Sequence, residues 1–321
     1  MNRSLRWAVL ACQAALLAVL VPSPALSRWT PYGAVVGAAA LLAAALLARQ
    51  YGREGRPQID APDLAVVCLQ AAFVCARLSY CLVRFSFYFL ELGPLSVLRT
   101  WEGGFLLYGA AAGAMGAAAL LAKRRGVSAA AVLDDLAAPG MLVVMVSRLA
   151  ERFTTEGVGT WVESEWMMRF PFAVLNEYEE WQLAVFRPEA LAAAVILLIV
   201  LRTAHGKGER IMTAVLLYAC CQVFFESLRM DGCLKIGFVR VSQVASAAAI
   251  TAVTAIRAYR AGGGRLIATR LAVLAGCVGV VGGIEWALDK TPVSNILLYG
   301  VMIAACMVLG INGARFSVRK A

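Results

Sequence analysis

Ten apolar runs, separated by polar connections, dominate this sequence and leave few folds open to it. They cover residues 7–25, 31–47, 64–83, 103–122, 133–149, 188–201, 211–228, 238–256, 266–286 and 295–312. A helix needs about 20 mostly apolar residues, rising about 1.5 Å each, to cross a bilayer. The runs at 133–149 and 188–201 are the short ones and are expected to tilt little or to end near the interface. In hydrocarbon every backbone N–H and C=O must be bonded within the segment, which makes these runs helices. Hydrophobic residues make up 61% of the 321-residue chain and charged residues 16%. Soluble domains hold about 45–50% and about 25%. The surplus apolar surface requires lipid as its solvent.

The net charge of +10 does not point to nucleic acid. The basic residues stand in short clusters between apolar runs, as they do where they fix membrane orientation. Arg3 and Arg6 precede the first run, Arg49, Arg53 and Arg56 follow the second, and Lys123, Arg124 and Arg125 follow the fourth. Arg202, Lys207 and Arg210 lie after the sixth, and Arg257, Arg260, Arg265 and Arg270 after the eighth. Arg315, Arg319 and Lys320 close the chain. Every second connection is thus basic, which predicts ten spans with both ends cytoplasmic. The long connection 152–187 falls on the other side. Its glutamates (Glu156, Glu163, Glu165, Glu177, Glu179, Glu180) and tryptophans (Trp161, Trp166, Trp181) suggest a small head segment on the outer leaflet. The first run has two readings, a spanning helix or a cleavable signal-like segment over residues 1–28.

Eight of the nine cysteines lie inside apolar runs at no metal-binding spacing, and Cys233 falls outside them. They read as small apolar residues, and neither a metal nor a cofactor is implied. His205, the one histidine, sits in a basic connection. A histidine base at the outer leaflet is therefore excluded. A transporter would show broken helices in matching halves, and none is visible.

Charges inside the runs cost about 2.5–3.5 kcal/mol each at mid-membrane, so they carry information. Arg77 lies in the third run, Arg148 near the end of the fifth, Glu226 and Arg229 close the seventh, and Arg240 opens the eighth. The predicted topology puts all of them toward the outer half. Two readings stand. The guanidinium groups converge on an anion, such as a lipid phosphate, or they pair internally, Arg148 with Glu151 and Arg229 with Glu226. Gly103 and Gly104 at the start of the fourth run suggest a bent entry or a close approach, whereas Gly109, Gly113 and Gly116 suggest tight helix packing. Pro139 would kink the fifth helix. The last two runs carry little polarity, with Glu285 and Asp289 at a watery end, and read as an appendage.

These motifs, in their order, resemble the bacterial prolipoprotein diacylglyceryl transferases from about Tyr32 to Ile256. Ala76-Arg77-Leu78-Ser79-Tyr80 is similar to the family's Gly-Ala-Arg stretch, and Trp101-Glu102-Gly103-Gly104 to its Trp-x-Gly-Gly motif. Asp135-Leu136-Ala137-Ala138-Pro139-Gly140 followed by Ser147-Arg148-Leu149 resembles the approach to its signature loop, and Arg187-Pro188 its short Pro-containing helix start. Tyr218 through Phe224-Phe225-Glu226 to Arg229, then Ser242-Gln243, resembles its closing motif. The resemblance implies an all-α polytopic membrane protein, with a seven-helix transferase-like core over 31–257 plus one N-terminal and two C-terminal (266–313) transmembrane helices. It implies transfer of a diacylglyceryl group from phosphatidylglycerol to the lipobox cysteine of preprolipoproteins, in a bacterial plasma (inner) membrane and with no nucleic acid involved. A non-catalytic paralogue that binds lipid or a lipoprotein signal helix is the alternative.

Arg148 and Glu156 align with the family's essential arginine and loop glutamate, and Glu226 and Arg229 with its closing motif. Tyr108 stands where the family has histidine, Glu151 where it has asparagine and Gln222 where it has a second arginine. Glu189, Ala190, Ala192 and Ala193 replace polar residues after its proline. By resemblance Arg148, Glu151 and Tyr108 are the catalytic candidates, with Glu151 as substitute base and Tyr108 as hydrogen-bond donor. Arg77, Tyr80, Gly103, Gly104, Glu156, Gln222, Glu226 and Arg229 are the substrate-binding candidates.

Overall fold

A computed structural model describes residues 3–21, 31–54, 59–176, 178–204, 208–231, 234–236, 239–261, 264–290 and 295–314. His205, Cys233 and the basic residues Arg56, Lys207, Arg315, Arg319 and Lys320 lie outside the described residues, as does the proposed cleavage region around Ala25. Among the described residues the ten apolar runs become ten α-helices: α1 Arg3–Leu20, α2 Tyr32–Glu54, α3 Ala61–Val83, α4 Leu107–Arg124, α5 Ala129–Ala150, α6 Phe186–Arg202, α7 Glu209–Leu228, α8 Val241–Ala261, α9 Gly264–Lys290 and α10 Asn295–Ala314. Seven of them are long and apolar enough to cross a membrane, and this is a multi-pass membrane protein. The other three, α1, α4 and α6, have 18, 18 and 17 residues. At about 1.5 Å per residue they fall just short of a hydrocarbon core about 30 Å thick. Exposed Leu42, Leu82, Leu198, Val280, Leu297 and Met307 supply the apolar faces that lipid covers.

The fifth helix starts at Ala129, ahead of its apolar run, and Asp134 and Asp135 are both buried within it. Asp134 has a structural task. Its carboxylate accepts hydrogen bonds from the backbone N–H groups of Gly208 (3.1 Å) and Ile211 (3.0 Å), at the start of α7. The first turn of a helix leaves N–H groups without intrahelical partners, and a carboxylate satisfies both them and the helix dipole.

The chain forms two compact units. The first comprises Met1–Gly157 and Ala193–Ile211, the second Val158–Ala192 and Met212–Ala321. In the first, α3 and α4 approach closely: a Cβ on Gly109 would collide with Ser79, and one on Gly113 would lie 2.5 Å from the Ala71 carbonyl. Gly116 departs from the expected stripe, since nothing lies within 4 Å of a Cβ there.

In the second unit, α7 and α8 share one core with α9 and α10. Leu216, Cys220, Val223, Ile250 and Val253 pack with Leu274, Ile284, Met302, Cys306 and Leu309. Arg257 on α8 donates to the Gly313 carbonyl (3.0 Å) and to Thr213 (2.8 Å). Arg270 on α9 donates to the Asn312 side chain (2.7 Å). The two C-terminal helices are therefore integrated rather than appended. Sequence hydropathy missed this because it registers lipid affinity, not which helix covers which.

The second unit also holds the short strands β1 (Ala173–Leu175) and β2 (Trp181–Leu183), paired antiparallel, and β3 (Lys235–Ile236) with β4 (Val239–Arg240). Arg187 ties the first hairpin to α6 by donating to the carbonyls of Pro171 and Ala173, both at 2.8 Å. The bulky side chains Trp161, Trp166, Phe170 and Tyr178 of this segment are exposed.

Candidate functional site

The first unit holds a caged arginine. Arg77, in the last two turns of α3, is 3% exposed. Its Nε donates to the Val97 carbonyl (3.0 Å), its Nη2 to Ser96 (3.2 Å) and Arg99 (2.9 Å), and its Nη1 to Gly103 and to Gly104 (3.4 Å). Its guanidinium carbon also lies 4.9 Å from the centre of the Tyr88 ring. The five acceptors belong to a run of short helical turns at Pro94–Leu98 and Thr100–Glu102 and to the glycine pair that follows. Gly103 and Gly104 both adopt positive φ, 76° and 75°. A Cβ on Gly104 would sit 2.6 Å from the Tyr80 ring and 2.8 Å from Arg77 Nη1. The glycine pair thus serves both a left-handed turn and close contact with the cation.

An arginine has five N–H donors, and here all of them face carbonyls. The expectation that Arg77 grips a lipid phosphate directly gives way to a different role. It holds the loop that leads into α4, and among the described residues no carboxylate neutralises it. Tyr80 stands half-buried beside Gly104, and exposed Glu156 acts on it electrostatically. Tyr108 occupies the first turn of α4, half-buried.

At the end of α5 Arg148 donates through Nη1 to Glu151 Oε1, and the two are 8% and 4% exposed. Glu151 opens a short turn, Glu151–Phe153, that Thr154 closes by donating its hydroxyl to the Glu151 carbonyl at 2.8 Å. Of the two sequence readings, internal pairing holds here. Any role of Glu151 as a base requires the pair to open.

The second unit holds a denser network. Arg229 follows α7 and binds Asp231 Oδ2 through both Nε (2.9 Å) and Nη2 (2.7 Å). Its Nη1 lies 3.7 Å from Glu189 and 3.9 Å from Glu226. Glu189, fully buried in the first turn of α6, accepts from the Tyr218 hydroxyl at 3.0 Å. Gln222 donates to Glu226 Oε1 at 2.7 Å, one turn apart on α7. Arg240 donates through Nη2 to the Arg229 carbonyl, so these two arginines do converge. The Arg240 backbone N–H is held by Gln243 Oε1 (3.1 Å), and Gln243 in turn donates to Glu285 on α9 at 2.5 Å.

Three carboxylates, Glu189, Glu226 and Asp231, surround two guanidinium groups. Acid outnumbers base, which is the opposite of a bare anion grip. Among the described residues no group of His, Cys, Asp and Glu is arranged to hold a metal ion.

The sequence-nominated residues thus fall into separate sets. Arg77, Tyr80, Gly103 and Gly104 meet in the first unit, Arg148 pairs with Glu151, and Gln222, Glu226 and Arg229 meet in the second. Sequence reading did not nominate Glu189, Asp231, Gln243 and Glu285 as site residues. Glu189 carried a usable signal, a carboxylate one residue into an apolar run after Pro188. Asp231 lies outside any run, and nothing local marks it.

A family model described as prolipoprotein diacylglyceryl transferase matches residues 24–259. The chain is 29% identical over 224 residues to the phosphatidylglycerol–prolipoprotein diacylglyceryl transferase of Bacillus velezensis, covering 67% of this chain and 82% of that protein. It is 31% identical over 224 residues to the protein of that name in Bacillus cereus, with the same coverage. With that of Limosilactobacillus reuteri it shares 28% identity over 227 residues, 67% of this chain and 81% of the relative.

Proposed function

The chain belongs to the prolipoprotein diacylglyceryl transferase family, and on that premise we propose that it moves a diacylglyceryl group from phosphatidylglycerol to the lipobox cysteine thiol of a preprolipoprotein. The observation that carries this reading is the reach of the family match, 24–259, which contains all eleven nominated residues. The thiol loses its proton to a base, and the thiolate attacks the diacylglyceryl carbon bonded to the phosphate oxygen. A C–S bond forms, the C–O bond breaks, and glycerol phosphate leaves with the electron pair.

Negative charge grows on the departing phosphate, and a preorganised cation in a water-poor site stabilises it. Arg148 is assigned that task. Glu151 is assigned the proton, in the place where the family has asparagine, and Tyr108 a hydrogen bond to the reacting groups. Glu156, Gln222, Glu226 and Arg229 are assigned to substrate binding. Arg77 acts at a distance, through its uncompensated charge and through the Gly103-Gly104 loop it holds. The alternation of basic connections supports both ends being cytoplasmic, and the bacterial relatives support a bacterial plasma membrane as the location.

The test is purified protein in phosphatidylglycerol nanodiscs with a lipobox peptide, read by mass spectrometry. A thioether-linked diacylglyceryl adduct is expected, and Arg148→Ala should lower its rate by at least about a hundredfold, the scale of losing one transition-state donor. Tight lipid binding with no adduct would favour the non-catalytic paralogue.

A further inference from the structure

The acidic network of the second unit contains a gap of defined chemistry. Arg240 Nη1 lies 3.9 Å from Glu226 Oε2 and 4.0 Å from Asp231 Oδ1. Both separations exceed a hydrogen bond, whose N–H···O length is about 2.9 Å. Arg240 is 8% exposed and Glu226 3%. Arg240 Nη1, Glu226 Oε2 and the neighbouring Gln222 Oε1 are buried polar atoms with no hydrogen-bond partner among the described residues. Leaving such atoms unmatched is costly, and more so where they are charged. They are also held in place. Gln222 donates to the other oxygen of Glu226, and Arg240 is fixed by its Nη2 bond to the Arg229 carbonyl and by Gln243 at its backbone.

The chemistry of the gap selects its occupant. An oxygen about 2.8 Å from both Arg240 Nη1 and Glu226 Oε2 fits between atoms 3.9 Å apart. That oxygen must accept from the guanidinium and donate to the carboxylate. A phosphate oxygen cannot donate and would face Glu226 and Asp231 with like charge. An ammonium cannot accept and would face Arg240. A hydroxyl does both.

We propose that Glu226 and Arg240 bind a hydroxyl of the lipid headgroup, which makes Arg240 the residue that selects a glycerol-bearing phospholipid over an anionic phospholipid without hydroxyls. This deepens the transferase reading and rests on it for the identity of the lipid. Gln222 Oε1 offers a second acceptor to a vicinal diol.

Competitive binding to the full chain in nanodiscs tests this, with phosphatidylglycerol against phosphatidylpropanol of identical acyl chains. The two lipids share charge and carbon count and differ only in the hydroxyls. Wild-type protein should prefer phosphatidylglycerol by at least about tenfold, because a site built to bond a hydroxyl rejects the analogue that lacks it. Arg240→Met and the isosteric Glu226→Gln should each bring the ratio close to one. Arg240→Lys, which keeps the charge but loses the fork, guards against a folding defect in the methionine variant and should also lower the ratio. A wild-type ratio near one, as expected if water alone bridges the gap, overturns the proposal, as does an undiminished ratio in the variants. An intact binding ratio without any diacylglyceryl transfer would sink the transferase reading and leave the hydroxyl site standing.

Discussion

Arg77 and Arg229 are both buried guanidinium groups, and they are satisfied in opposite ways. Arg77 keeps its charge and spends its donors on loop carbonyls, while Arg229 is held by Asp231 in a cluster richer in acid than in base. Lysine cannot copy the five-donor fork. Arg77→Lys should therefore leave the chain inserted but expose the segment 93–104 to protease several-fold faster, as limited proteolysis would read. The Arg148–Glu151 pair belongs to a different class. Removing one partner of a buried ion pair costs about 3–5 kcal/mol because the other charge is stranded. Arg148→Met and Glu151→Ala should each lower the melting temperature markedly, and the double variant by less than their sum. Full activity in Glu151→Ala would rule it out as the base. Sequence reading found the pair because Arg148 interrupts an apolar run and Glu151 stands just past the end of that run. It could not find the cage around Arg77, since a carbonyl belongs to every residue and has no letter of its own.

Single elements were readable to within a few residues at most ends, because hydropathy and helix length are tied by the bilayer. The exception was α2, which continues past its apolar run through Arg49, Gln50 and Arg53 to Glu54, polar residues that a hydropathy scan treats as a boundary. Glycine spacing was a weaker guide. Gly109 and Gly113 allow α3 and α4 to touch, and Gly116, of the same stripe, faces open space. Gly109→Val should reduce folded yield sharply while Gly116→Ala is neutral, as size-exclusion profiles in detergent would show. In the head segment, Glu180 accepts hydrogen bonds from Trp161 (3.1 Å) and Asn176 (3.1 Å), and these hold its carboxyl below the usual carboxylate range. A lowered folded value means that the stabilisation is present above the ordinary carboxylate pKa and is lost as pH falls through the lowered one. The fluorescence of Trp161 should shift on acidification, and Glu180→Gln should remove most of that shift.

For the whole molecule, the family match ends at 259, just before α9, yet the second unit's core continues through α9 and α10. In lipid the hydrophobic effect does not drive helices together, so packing and hydrogen bonds between helices do. The Arg257–Gly313 and Gln243–Glu285 contacts therefore bind the C-terminal helices to α8. Glu285→Leu should raise the apparent KM for phosphatidylglycerol more than it lowers kcat, through Gln243 and Arg240, and Glu285→Gln should restore most of the loss. Sequence reading could not foresee this link, since Glu285 lies 42 residues from its partner and hydropathy contains no pairing information. The same separation between partners bears on how the protein is made. Asp134 is translated 74 residues before Gly208 and 77 before Ile211, the amides it will bind. During synthesis α5 enters the bilayer carrying an acid whose partners are still inside the ribosome. Asp134→Leu should therefore insert α5 more readily while slowing the assembly of the helices that follow.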